Sequence, residues 1–114
     1  MRTFEFSTRT EGDVTVVSVA GTIDAITAPR LAEALQAEVA AGRYRLVTDI
    51  ADTIYVSSAG LRAFLATVKQ ARALGGDVRL AAARPAVHQV FDLAGFTSIV
   101  RLFDDVEGAV GSFA

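Results

Sequence analysis

The sequence predicts an α/β fold: a mixed β-sheet, formed by an N-terminal hairpin and then β/α alternation, with helices packed on it. Three observations predict the α/β class. Near the N-terminus Phe4 and Phe6 alternate with polar neighbours in the manner of a strand, and a β-branched run follows. The apolar period then switches repeatedly between that of a strand and that of a helix. Finally, 52% of the 114 residues are apolar, which suits one domain, 1–114, with a single substantial core.

The elements follow in order. "TFEFSTRT" alternates Phe4 and Phe6 with polar neighbours, and "VTVVSVAG" (14–21) is β-branched. Glu11-Gly12-Asp13 between them is a turn signal, so the two runs form a hairpin. "TIDAIT" reads as a loop. In "TAPRLAEALQAEVAAG", Leu31, Leu35 and Val39 are four apart, Thr27 suits an N-cap, Pro29 the first turn and Gly42 the end. "YRLVTDI" is apolar enough for a strand covered on both faces.

After a short loop, Leu61, Phe64, Leu65, Val68 and Leu74 define the apolar face of a second helix. Arg62, Lys69 and Arg72 lie away from that face, and Gly75-Gly76 stops it. "DVRLAAA" is a short strand, "PAVHQVFDLAGF" a helix opened by proline, "SIVRLF" a last strand. "DDVEGAVGSFA" is a short helix started by Asp104 or Asp105. The order is β-β-α-β-α-β-α-β-α, which requires parallel crossovers after the hairpin.

Several function classes find no support. The formal charge is −2 and the ten arginines and one lysine are scattered, so no nucleic-acid or anionic-membrane partner is expected. No run approaches the roughly 18 apolar residues of a membrane span. The charged, alternating N-terminus does not read as a signal peptide, so a cytoplasmic location is expected. Cysteine is absent and His88 is the lone histidine, leaving no thiolate or His-rich metal site and no nucleophile–base pair. "ALGGDVR" follows a helix and precedes a strand, the reverse of a phosphate loop. No cofactor, metal or catalytic residue is predicted, and the chain is not expected to be an enzyme.

The exception is "VSSAGLR", where a β-rich run gives way to a helix. A serine there either caps the helix, worth about 1 kcal/mol, or accepts a phosphate. Free N–H groups and the helix dipole favour an anion at that point. A phosphate adds about −1.5 to −2 charges while leaving the fold in place, and would repel a partner docked there.

"AGTIDAITAPRLAEAL" and "YVSSAGLRAFL" together resemble the STAS domain of bacterial anti-sigma factor antagonists. Members typically read Gly-x-x-Asp-x-x-x-Ala before the first helix, matched by Gly21, Asp24 and Ala28. Before the second they read Asp-Ser-Ser-Gly-Leu or the variant Ser-Ser-Ala-Gly-Leu-Arg, which this chain matches. "GGDVRLA" and "VFDLAGF…LFDDVEGAV" extend the resemblance over essentially the whole chain. It implies a regulator that binds an anti-sigma factor, itself a serine kinase, and so frees a sigma factor. Phosphorylation of a serine at the start of the second helix releases the complex, and a PP2C-type phosphatase reverses it. ATP and Mg²⁺ would belong to the kinase.

One departure bears on the site. Aligned on Gly60-Leu61, the usual acceptor serine falls on Ala59, so the acceptor is expected at Ser58, placed at the N-cap, with Ser57 in reserve. The expected partner-binding residues are Asp24, Ser57, Ser58, Ala59, Gly60 and Arg62. Asp24 has two readings, a loop acid at the site or a turn residue capping the first helix. Arg62 either pairs with a phosphate or faces solvent. Ala59 also motivates an alternative, a STAS scaffold subunit without a switch, as in lipid-transport ABC systems or stress-signalling complexes.

Overall fold

The computed structural model describes residues 4–114. Thr3, with which the first predicted strand begins, lies outside the described residues. The hairpin is β1 (Phe4–Glu11) and β2 (Val14–Ile23), antiparallel and joined at Gly12-Asp13, where Gly12 takes φ +64°. The rest of the chain alternates: α1 (Ala28–Ala40), β3 (Arg45–Val56), α2 (Ser58–Ala73), β4 (Asp77–Ala81), α3 (Pro85–Leu93), a 3-10 turn (Phe96–Ser98), β5 (Leu102–Phe103) and α4 (Val106–Gly111). The sheet order is β1-β2-β3-β4-β5, with every pair after the hairpin parallel. The predicted α/β class and element order are therefore observed.

Strand alternation divides the apolar residues between the two faces of the sheet. Val17, Val19 and Ile23 of β2, Leu46 and Ile50 of β3, and Val78 and Leu80 of β4 join the main core. Leu31 and Leu35 of α1, Phe64 and Val68 of α2, and Val87 and Phe91 of α3 cover them. On the opposite face Val14, Val16, Val47 and Ala81 meet Ala109 of α4, with Phe103, Val106 and Phe113 at the margin. Both faces of β2 and of the first half of β3 are thus covered, as their near-continuous apolar runs require.

Three boundaries differ from the sequence expectation. β3 does not end at Ile50 but runs to Val56, because its second half keeps pairing with β2 after β4 has ended at Ala81. The last predicted strand, from Ser98, shrinks to Leu102–Phe103, since Phe96–Ser98 coil into the 3-10 turn that buries Phe96 and Val100. Leu74 does not belong to the apolar face of α2. The helix ends at Ala73, and Leu74 is its exposed C-cap ahead of Gly75 at φ +89°.

Candidate functional site

The site forms where β2 and β3 end together. Their pairing slips twice, between Ser18 and Ala20 and between Gly21 and Thr22, and each slip gives β3 one residue more than β2. Such bulges redirect side chains. Thr53 turns inward and donates its hydroxyl to the Val19 carbonyl at 2.9 Å. The second bulge breaks the alternation, so that the adjacent Ile54 and Tyr55 both face out, 60% and 51% exposed. Val56 is buried again, and the chain enters α2 through Ser57.

Ser57, not Ser58, is the N-cap. Its backbone is extended (φ −87°, ψ 174°), its carbonyl accepts from the Leu61 amide at 3.0 Å, and its hydroxyl accepts from the Gly60 amide at 3.3 Å. This corrects the expected placement of Ser58 at the cap, and the reason is local. The Ser57 amide donates to the Ile23 carbonyl at 2.8 Å, which keeps Ser57 extended beside β2, so the helix starts at Ser58, one residue earlier than expected. Ser58 is the first helical residue and is exposed, whereas Ser57 is half-buried. The amides of Ser58 and Ala59 form no hydrogen bond among the described residues, and no acidic residue stands in the first turn. They are the open end of the helix dipole.

Gly60 is buried and brings this helix end close to the sheet. A Cβ there would lie 2.6 Å from Ile23 Cγ2 and 2.9 Å from Val56 Cγ1, so only glycine fits without a shift. Ala59 is half-buried against the main core, and Arg62 is exposed.

Asp24 lies in the loop that follows Ile23, the residue bonded to Ser57. Its carboxylate accepts from the amides of Ile26 at 2.9 Å and Thr27 at 3.0 Å. Thr27 occupies the expected N-cap of α1, but its hydroxyl turns back, accepting from the Asp24 amide and donating to the Thr22 carbonyl at 2.7 Å. Asp24 is therefore a turn residue that shapes the loop entering α1. The turn leaves Ile26 at its tip, 83% exposed.

The strand ends thus bring together Asp24, Ser57, Ser58, Ala59 and Gly60. They add three residues that sequence reasoning missed: Ile26, Ile54 and Tyr55. The signal for the last two was the unbroken "TIYV", which does not alternate as a half-buried strand would. Exposed apolar residues beside an open helix N-terminus suit a protein-docking surface with an anion-sensitive centre. Among the described residues no group of His, Cys, Asp and Glu is placed to hold a metal, and no helix is long and apolar enough to cross a membrane.

Comparison with known proteins places this geometry. The STAS domain model matches residues 5–109. A protein assigned as the anti-sigma factor antagonist BtrV of Bordetella bronchiseptica is 35% identical over 98 residues, covering 86% of this chain and 84% of that one. The anti-sigma-B factor antagonist of Bacillus subtilis is 31% identical over 100 residues, covering 88% and 90%. The crystal structure of an anti-sigma factor antagonist from Mycobacterium paratuberculosis superposes with a TM-score of 0.88 at 29% identity, covering 96% and 93%. These relatives are named for a regulatory role and not for a catalysed reaction. With a hairpin-led mixed sheet and a serine pair opening its second helix, the chain belongs to the STAS domain family, as a homologue of the anti-sigma factor antagonists.

Proposed function

We propose that this single STAS domain, 1–114, is an anti-sigma factor antagonist in a partner-switching pathway. It binds an anti-sigma factor serine kinase through the surface around α2's first turn, and phosphorylation of Ser58 releases it. A PP2C-type phosphatase would restore binding, and the cytoplasm is the compartment such a pathway requires. The observation that carries the reading is the division of labour between the serines. Ser57 is half-buried and its hydroxyl caps the helix, while Ser58 is exposed beside two amides without an acceptor.

A phosphate on Ser58 would rest at the positive end of α2 without disturbing the cap. A partner packed on Ile26, Ile54 and Tyr55 would have to desolvate that dianion, which weakens the complex. Phosphorylating Ser57 instead would require its hydroxyl to leave Gly60.

The test is to incubate the chain with the kinase and ATP and locate the phosphate by mass spectrometry. Modification of Ser58, lost in Ser58→Ala and retained in Ser57→Ala, is expected. Ala59 at the usual acceptor position favours the second reading, a scaffold subunit that is never switched. Recovery of an unmodified chain with a stably bound kinase would select that reading.

A further inference from the structure

β1 is the outer strand on the hairpin side, and its free edge is open. Glu5–Glu11 are all exposed, and the pairing with β2 runs without a bulge from Glu11↔Val14 to Phe4↔Gly21. In a hairpin closed by a two-residue turn the closing pair exchanges both hydrogen bonds, and bonded and non-bonded pairs alternate from there. The backbone groups of Glu5, Ser7, Arg9 and Glu11 therefore point to β2. Those of Phe4, Phe6, Thr8 and Thr10 point outward, and none of them bonds another described element. Edge strands are commonly blunted by proline, charged side chains (lysine above all), a bulge or a covering loop. "FEFSTRTE" contains no proline or lysine, its charges Glu5, Arg9 and Glu11 are of mixed sign, and Phe6 remains 43% exposed on it. The opposite edge, β5, is only two residues long.

We propose that β1 pairs antiparallel with β1 of a second copy of this chain, about a two-fold axis at Ser7, joining the two sheets. Charge selects the register. An axis at Thr8 would set Glu5 opposite Glu11 of the second copy, like charges repeated by symmetry. An axis at Phe6 leaves Arg9 and Glu11 beyond the described strand of the other copy. With the axis at Ser7, Glu5 faces Arg9 twice, Phe6 faces Thr8 and Phe4 faces Thr10. The outward-pointing residues then exchange about eight backbone hydrogen bonds, two for each bonded pair. Phe6, whose ring centroid is 6.3 Å from that of Phe4, becomes the diagonal neighbour of Phe6 of the second copy and gains cover. Arg9 already pairs with Glu11 at 3.1 Å, so it would bridge two carboxylates. The antiparallel join sends the two α2 N-termini to opposite ends of the joined sheet, which separates this contact from the Ser58 surface.

The chain has no cysteine, which makes cross-linking a clean test. In this register Ser7 faces Ser7 of the second copy as a non-bonded pair, with Cα atoms about 4.5 Å apart, within disulfide reach. Ser7→Cys should oxidise to a covalent dimer, while Glu5→Cys, whose two copies lie four residues out of step, should not. Sedimentation of the unmodified chain should show a concentration-dependent dimer. Thr8→Pro, which removes an outward N–H without costing a bond to β2, should sediment as a folded monomer by circular dichroism. A chain that stays monomeric at every concentration, or equal cross-linking of both cysteine variants, would overturn the proposal.

Discussion

Ser57 and Ser58 are neighbours with different surroundings, and single substitutions separate them. Ser57→Ala removes the cap and should lower stability by about 1 kcal/mol in urea denaturation, whereas Ser58→Ala should stay within about 0.5 kcal/mol of the parent. If Ser58→Ala proved the more destabilising, the cap assignment would be wrong. Gly60→Ala forces a methyl against Ile23 and Val56 and should cost about 1–3 kcal/mol. It should also weaken partner binding, because the helix start must move. Thr48 is fully buried on β3 and its hydroxyl has no partner among the described residues. Thr48→Val keeps the shape and removes the orphan group, so stability should rise by about 1 kcal/mol, read as a higher melting temperature. The pairing of roles at the serines was only half legible in the sequence. The motif marked the place, but which serine caps depends on the Ser57–Ile23 backbone bond, which joins residues far apart in the chain.

Among the elements, α4 and the C-terminus are held by a polar hub rather than by helix length. Asp77, at the start of β4, accepts from Arg72 of α2 at 2.9 Å and from Arg79 of its own strand at 3.0 Å. Arg79 donates in turn to the carbonyl and hydroxyl of Ser112 at 2.8 and 2.7 Å and lies over the Phe113 ring, 4.0 Å from its centroid. A six-residue helix has little stability of its own. Arg79→Met should therefore free α4, read as faster amide exchange over 106–113 with α1–α3 still protected. Equal protection in the variant would show that the apolar contacts of Ala109 suffice. Element types were legible because apolar spacing reports them directly. The second half of β3 was not, since two bulges hide its period and its pairing partner, β2, is fixed only by the tertiary fold. The same bulges aim Ile54 and Tyr55 outward, so the unread stretch of strand is also the unread part of the site.

For the whole molecule, parallel strands after the hairpin collect the ends of β2 and β3 at one end of the sheet, with the loop after β2 and the start of α2 beyond them. That arrangement explains how residues separated in sequence, Ile26 and the Ile54–Ser58 stretch, come to share one surface. On the proposed function, a phosphate on Ser58 would change the charge of this surface without a change of fold, since it would sit on a helix end already capped and packed. If the proposed anti-sigma factor kinase docks there, Tyr55→Ala should weaken its binding while leaving the unfolding midpoint nearly unchanged, as both readouts on one sample would show. On the same proposal, charge on Ser58 switches binding off, and calorimetric titration of the kinase with three chains measures that effect. The parent and Ser58→Ala should bind alike, and Ser58→Asp should bind at least tenfold more weakly, about 1.4 kcal/mol. Equal affinity for Ser58→Asp and the parent would contradict it.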